Sequence, residues 1–158
     1  LSDVTEIDLY DVIERSVKLI ELQSKSRGIT IEMPVKEPVL IRGSQNALSQ
    51  ALCNLLQNSI DAIEERLKDE PLFPGRISLQ LALTGDKYQL RLSDNGMGIK
   101  PEYQSQIFNP LFTTRDPGLF SGMGLTTAFT IISEHHGRLE ILSQTGSGTT
   151  AIISLPPG

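Results

Sequence analysis

Residues 88–98 read Tyr88-Gln89-Leu90-Arg91-Leu92-Ser93-Asp94-Asn95-Gly96-Met97-Gly98. The first half alternates polar and apolar residues, which is typical of a strand with one buried face. A second alternating segment from Ile77 to Leu83 precedes it, and Thr84-Gly85-Asp86 separates the two as a turn signal. The sequence therefore predicts a β-hairpin that carries Asp94 to the end of a strand. The glycines that follow allow the backbone to turn sharply and to approach a ligand closely.

The flanking segments predict three helices and four more strands around this hairpin. Helical spacing of apolar residues predicts helices from about Asp8 to Ser26, from Ser44 or Asn46 to about Lys68, and from Gly122 to about His135. Short β-branched segments predict strands at Ile29–Met33 and Val39–Ile41, joined by a turn, and at Leu139–Leu142 and Thr149–Leu155. This order predicts an α/β fold, a two-layer α/β sandwich whose mixed, mostly antiparallel sheet is covered by helices on one face.

Length and composition restrict the class of protein. The 158 residues suit one domain, and the net charge of -5 argues against nucleic-acid binding, which needs clustered positive charge. No apolar run approaches the roughly 20 residues of a membrane span, so no direct membrane contact is expected. Cys53 is the single cysteine and cannot form an internal disulfide. We expect a cytoplasmic domain, and the sequence is also compatible with a parent protein that is anchored in a membrane.

The second predicted helix carries a polar stripe. Gln50, Asn54 and Asn58 recur every fourth residue, so their amides stack along one helix face. An amide offers both an acceptor and donors, and neighbouring amides suit a hydrated magnesium ion and phosphate oxygens. The alternative is a polar seam whose partners all lie within the protein.

The strand-end carboxylate suggests a second kind of contact. Asp94 can accept a hydrogen bond from an exocyclic amine such as that of adenine. Taken alone, the run is more typical of an ordinary Asp-Asn-Gly turn.

The stretch from Gly96 to Gly122 is longer than most internal loops, and such loops are often functional lids. Gly118, Gly122 and Gly124 lead into a helix whose positive end and free amides suit phosphate, although no P-loop lysine follows them. Arg115 is the nearest cation in this loop. A flexible loop before a helix, with a surface arginine, explains the same residues without a ligand.

Five segments, in their order along the chain, resemble the histidine-kinase branch of the ATPase superfamily shared with DNA gyrase, the Hsp90 chaperone and MutL. They correspond to its asparagine box, first glycine box, phenylalanine box and later glycine motifs: Asn54–Ala62, Asp94–Ile99, Ile107–Arg115, Gly122–Leu125 and Gly146–Thr150. The resemblance runs from about Ser44 to Pro156.

The resemblance implies a Bergerat-type ATP-binding fold with ATP and Mg²⁺ as cofactors. It places Mg²⁺ on Asn58 and the adenine amine on Asp94, and it makes Asn54 and Arg115 the catalytic candidates. The remaining implied ATP-binding residues are Gly96, Gly98, Ile99, Thr113, Thr114, Gly122, Met123, Gly124, Leu125 and Thr149, with Asn54 and Asn58 also included.

The same resemblance implies transfer of the γ-phosphate to a histidine on a separate dimerisation domain, and then to an aspartate of a response regulator. We expect residues 1–158 to form the catalytic domain alone, with the phosphoacceptor domain N-terminal in the parent protein. His135 and His136 follow the lid helix, where the family has a structural His-Gly-Gly, so structural roles are expected for both.

Three residues depart from the family pattern, and other functions stay open. Phe120 replaces a lid glycine, His136 stands where a glycine is common, and Asp61 replaces a basic residue after the second asparagine. The gyrase and Hsp90 ATPases have a glutamate at the position of Asn54, and this glutamate activates the water for hydrolysis. The amide of Asn54 is not a strong base, so Asn54 favours a kinase over a hydrolase. A serine kinase of the superfamily or a non-catalytic nucleotide sensor is the further alternative.

Overall fold

The computed structural model describes residues 3–99 and 122–158. Within them lie the strands β1 (Thr5–Asp8), β2 (Thr30–Glu32), β3 (Leu40–Gly43), β4 (Arg76–Thr84), β5 (Lys87–Asp94), β6 (Arg138–Gln144) and β7 (Gly148–Leu155). The helices are α1 (Leu9–Ser26), α2 (Gln45–Asp69) and α3 (Gly122–Glu134). None of the helices in these two ranges combines the length and apolar character needed to cross a bilayer.

A five-stranded sheet in the order β2-β4-β5-β7-β6 forms one layer. β2 runs parallel to β4, and the other neighbours are antiparallel. Leu90 and Leu92 of β5 are buried while Arg91 between them is exposed, so one face of the sheet meets the core. α2 packs against β5 and β7, and α3 packs against β6. The predicted two-layer sandwich with helices on one face is confirmed.

Polar caps fix where the first two helices begin. Asp8 Oδ1 accepts hydrogen bonds from the backbone N–H of Tyr10 and of Val39, both at 3.0 Å. Ser44 caps α2 by accepting from Ala47 N–H at 3.1 Å. Of the two predicted caps for α2, Ser44 is therefore the correct one.

The end of α3 is tied to the start of α2 by a buried histidine. Ser44 N–H donates to Nε2 of His135 at 2.9 Å, which requires that nitrogen to be unprotonated. The proton of this neutral ring then lies on Nδ1, which is 2.7 Å from the carbonyl oxygen of Ile131. The packing at this contact is tight, since a Cβ at Gly43 would come within 2.7 Å of the His135 ring. His135 therefore has the structural role predicted for it.

The N-terminal strands differ from the sequence prediction. β2 and β3 exist close to the predicted positions, but they are not joined as neighbours. β2 pairs with β4, while β3 pairs with β1, which the sequence analysis missed. The reason is that β1 is a short segment with polar residues at most positions, Thr5-Glu6-Ile7-Asp8, which lacks a clear alternating pattern.

The C-terminus of α3 explains the departure at His136. The backbone N–H of His136 donates to the carbonyl of Ser133 at 3.0 Å, and the backbone N–H of Gly137 donates to the carbonyl of Ile132 at 2.9 Å. This pair of bonds is the Schellman motif, whose penultimate residue is left-handed and usually glycine. His136 has φ of 60°, the only non-glycine positive φ among the described residues.

We expect His136→Gly to stabilise the domain by about 0.5–1 kcal/mol, because glycine adopts the left-handed conformation without a steric cost. Urea denaturation of the purified domain measures this free energy of unfolding. His136→Ala is the matched control, since it removes the imidazole but keeps a Cβ at the strained position. A glycine variant no more stable than the alanine variant would contradict the explanation.

Candidate functional site

One row of residues crosses the core face of the sheet at the C-terminal end of β5. Asp94 pairs in register with Ile77 on one side and Thr149 on the other, and Thr149 pairs with Ser143. Because side chains alternate along a strand, Asp94 faces the same side as Leu92, towards the helices. The sheet therefore positions a carboxylate in the layer between strands and α2.

Asp94 is only 9% exposed. Its Oδ1 accepts a hydrogen bond from Gly96 N–H at 2.9 Å. Burial raises the pKa of Asp94 from 3.8 to about 6, against hydrogen bonds from Gly96 N–H, the Ser59 side chain and the Thr149 backbone, which lower it. The protein thus supplies hydrogen bonds to the carboxylate, but none of these donors is a basic side chain. A further hydrogen-bond donor would therefore stabilise the charged form.

The turn after Asp94 lies directly on α2. A Cβ at Gly96 would come within 2.7 Å of the Ala62 backbone, so only glycine fits this approach. Met97 N–H donates to the Ala62 carbonyl at 3.2 Å. Gly98 has φ of 77°, and a Cβ there would meet the carbonyl oxygen of Gln144 at 2.5 Å. The two glycines of this turn are therefore required by its geometry.

The helix above the row supplies the amide predicted for a ligand. Asn58 is 5% exposed, and its Nδ2 has no hydrogen-bond partner. A buried polar group without a partner costs about 1–3 kcal/mol, which a bound ligand would recover. A small pocket lies in front of it between α2, α3 and the sheet. Its lining comprises Leu55, Asn58, Ser59, Leu92, Asp94, Leu125, Ile141, Thr149 and Ala151.

Hydroxyl groups connect the far side of the pocket to the segment that leaves it. Ser143 Oγ accepts from Ile99 N–H at 2.6 Å and lies 3.1 Å from Oγ1 of Thr149. Thr145 Oγ1 donates to the Ile99 carbonyl at 3.3 Å. The buried Ile99 is thus held on both its amide and its carbonyl.

The structure brings together several of the residues predicted from sequence. Asn58, Asp94, Leu125 and Thr149 line one pocket, and Gly96, Gly98 and Ile99 form the turn beside it. Asn54 lies one turn before Asn58 on α2 and is half-buried, outside the pocket lining. Gly122, Met123 and Gly124 form the first residues of α3. Thr113, Thr114, Arg115 and Phe120 lie outside the described residues.

Three residues of the site were not predicted. Ser59 and Ser143 contact the site through hydroxyls, and Arg66 binds the turn after Asp94 through its guanidinium. Ser59 directly follows Asn58, so its position was the available signal. The position of Ser143 in the site depends on its strand register opposite Thr149, which the sequence does not show. No sequence signal separated Arg66 from the other charged residues near the end of α2.

Asp61 turns towards other partners. Gln57 Nε2 donates to its Oδ1 at 2.9 Å. Burial raises the pKa of Asp61 to about 6, against this hydrogen bond, and the nearby charges are those of Glu64 and Arg27. Arg27 follows α1 and forms an ion pair with Glu64. Asp61 therefore lies on the side of α2 that faces the end of α1, and it does not line the pocket.

Comparison with known proteins shows which family has this arrangement. Residues 43–158 match the family model described as "Histidine kinase-, DNA gyrase B-, and HSP90-like ATPase". The chain belongs to this family. The match covers α2, the hairpin, α3 and the last two strands, so all the described site residues of this ATPase domain lie within it.

Relatives within the family are sensor kinases. The chain is 32% identical over 152 residues to sensor histidine kinase ZraS of Salmonella typhimurium and 30% identical over 149 residues to sporulation kinase B of Bacillus subtilis. These alignments cover 95% and 94% of the chain but only 30% and 33% of the relatives, so the chain spans about a third of their length.

A solved structure extends the likeness to three dimensions. The catalytic domain of histidine kinase ThkA, in a nucleotide-free form, is 26% identical, with a TM-score of 0.80. The match covers 98% of this chain and 96% of that chain. The five-stranded sheet with its helices is thus the fold of a histidine kinase catalytic domain.

We expect Asp94→Asn to stabilise the nucleotide-free ATPase domain at pH 7. The pKa of Asp94 is about 6 in the folded chain and 3.8 as its ordinary value. A raised carboxyl pKa leaves stability unaffected below pH about 4, lowers it as pH rises to about 6, and costs at most about 3 kcal/mol above that. Asparagine is neutral at every pH and avoids this cost.

Urea denaturation from pH 4 to pH 8 measures the effect. The gain in the free energy of unfolding of Asp94→Asn should grow across this window and level off above pH 6. Asp86→Asn, in the exposed turn between β4 and β5, is the matched control. A gain that is equal at pH 4 and pH 8 would disprove the assigned cost of burying the charge.

Proposed function

We propose that the chain is the ATP-binding catalytic domain of a sensor histidine kinase. In this proposal it binds Mg-ATP and donates the γ-phosphate to a histidine on a separate dimerisation domain, for relay to an aspartate of a response regulator. Residues 1–158 would act as one catalytic domain in the cytoplasm and would depend on the phosphoacceptor domain of the same protein.

The observation that carries the proposal is the buried Asp94 carboxylate at the floor of the pocket. It retains acceptor capacity, and its charge is disfavoured by burial. An exocyclic amine donates a hydrogen bond and stabilises that charge, so adenine suits this position. The apolar side chains of Leu92, Leu125 and Ile141 are of the kind that contacts the faces of a flat ring. The volume of the pocket is about 10 Å³, roughly that of one water molecule, so in this proposal the pocket widens when adenine enters.

The amide of Asn58 supports the phosphate end of the site. Its buried Nδ2 has no partner and can donate a hydrogen bond to a phosphate oxygen. The amide oxygen of the same side chain is an acceptor, as a Mg²⁺ ion or one of its bound waters requires. In residues 3–99 and 122–158, no three His, Cys, Asp or Glu side chains form a metal-binding cluster. In this proposal, Asn58 holds Mg²⁺ together with oxygens of the nucleotide. Mg²⁺ neutralises charge on the transferring phosphoryl group.

The residue one turn earlier favours a kinase over a hydrolase. Asn54 is an amide, which cannot take a proton from water as a carboxylate can. The half-buried Asn54 would orient groups near the phosphates without activating water. The names of the sensor and sporulation kinases agree with this choice. A catalytic role of Arg115 and phosphate contacts from Thr113, Thr114 and Gly122 to Gly124 are part of the proposal.

We expect Asp94→Ala to lower ATP affinity by about 10-fold to 150-fold, the range for a hydrogen bond to a charged group. Because the pKa of Asp94 is about 6, wild-type affinity should fall as pH drops from 7 to 5 and stay level above 7. Calorimetric titration with Mg-ATP measures both effects. Asp94→Asn should bind less tightly than wild type and lose this pH dependence, apart from the titration of the nucleotide itself. Unaltered affinity in Asp94→Ala would overturn the adenine assignment.

Mixing the chain with the histidine-bearing helical domain of its parent protein tests the reaction. With Mg²⁺ and γ-labelled ATP, we expect acid-labile label on that domain, and chelation of Mg²⁺ or Asn58→Ala should strongly reduce it. Phosphate release at a steady rate without the partner would identify an ATPase instead. Acid-stable label would identify a serine kinase. ATP binding with none of these products would identify a nucleotide sensor.

A further inference from the structure

One cationic side chain joins the two loops beside the pocket. Arg66 lies in the last two turns of α2, and its Nη1 donates to the carbonyl of Asn95 at 3.1 Å and to that of Gly146 at 2.9 Å. The carbonyl of Gly96 is 3.5 Å away. Asn95 and Gly96 belong to the turn after β5, whereas Gly146 belongs to the turn between β6 and β7.

These two turns form one unit. Gly146 N–H donates to the carbonyl of Met97 at 2.7 Å, and Asp94 at the start of the first turn pairs with Thr149 just after the second. Asn95 is further held by the Arg76 backbone, whose N–H donates to its Oδ1 at 2.8 Å. Arg66 therefore binds at the point where the backbone dipoles of both turns converge.

The guanidinium is itself held in place. Its Nε donates to Oε2 of Glu70 at 3.0 Å, and its carbon lies 3.9 Å from the centre of the Phe73 ring. Only 21% of the side chain is exposed. A planar group fixed on an aromatic ring and a carboxylate loses little freedom when it binds carbonyls, and a lysine ammonium cannot reproduce this fork of donors.

We propose that Arg66 is a positioning residue of the nucleotide site, which sets the affinity for the adenine moiety without touching it. It fixes the carbonyls of Asn95 and Gly96, and this orients the Gly96 N–H that donates to the Asp94 carboxylate. The proposal rests on the proposed function, because it concerns the adenine end of the same pocket.

The test compares Arg66→Ala and Arg66→Lys with Arg76→Ala. Arg76 is the matched control because its side chain pairs with Glu32 on the exposed surface, while its backbone contacts the same turn. The probes are Mg-ATP and inorganic tripolyphosphate with Mg²⁺, titrated calorimetrically at a temperature where urea denaturation shows each variant to be folded. Tripolyphosphate reports on the phosphate end of the site alone.

Arg66→Ala should lower ATP affinity about tenfold, the effect of misaligning one hydrogen bond to a charged group, and change tripolyphosphate affinity less than about twofold. Arg66→Lys should recover part of the loss, and Arg76→Ala should match wild type. The pH at which ATP affinity falls should also rise in Arg66→Ala, since the Gly96 hydrogen bond lowers the pKa of Asp94.

Other outcomes overturn the inference in identifiable ways. Equal losses for ATP and tripolyphosphate would mean that Arg66 supports the fold in general. Arg66→Ala behaving like Arg76→Ala, while Asp94→Ala weakens ATP binding, would overturn only the role of Arg66. Unchanged ATP affinity in Asp94→Ala would overturn the adenine assignment itself.

Discussion

The structure depends on placing a carboxylate where water is largely excluded. Asp94 sits on the core face of the central strand β5, beneath α2, and its burial raises its pKa to about 6. A charge in such a position destabilises the empty protein, so its neighbours supply hydrogen bonds that offset part of the cost. The Gly96 N–H and the Ser59 side chain come from the adjoining turn and from α2. In the proposed site, a ligand amine that donates a hydrogen bond to Asp94 would offset the remaining cost of burying its charge.

α2 is the element that connects this carboxylate to the rest of the site. The helix presents Asn58 and Ser59 to the pocket, receives the Gly96 turn against Ala62, and ends with Arg66 on the turn carbonyls. At its other end, the cap residue Ser44 is bonded to His135 of the segment after α3. One helix, α2, thus sets the separation between the phosphate and adenine ends in the proposed site.

Local patterns in the sequence predicted most of this arrangement. The hairpin of β4 and β5, the Ser44 cap and the amphipathic helices depend on neighbouring residues, so alternation and capping signals were sufficient. The pairing of β2 with β4 and of β1 with β3 depends on residues distant in sequence, and no local pattern encodes it. Within the site, Asp94 and Asn58 were predicted from motifs. Arg66 was missed because its role arises from three carbonyls that converge only in the folded chain.

The parallel pairing of β2 with β4 also bears on how the domain folds. The β4–β5 hairpin closes over a short turn, whereas Thr30 meets Arg76 only after β3 and all of α2 have intervened in the chain. Contacts between distant segments require the loss of loop-closure entropy before any stabilising interaction forms, so we expect them to form late. We therefore expect the edge of the sheet to be completed after the hairpin that carries Asp94, so that β5 belongs to the early, local part of the folding process.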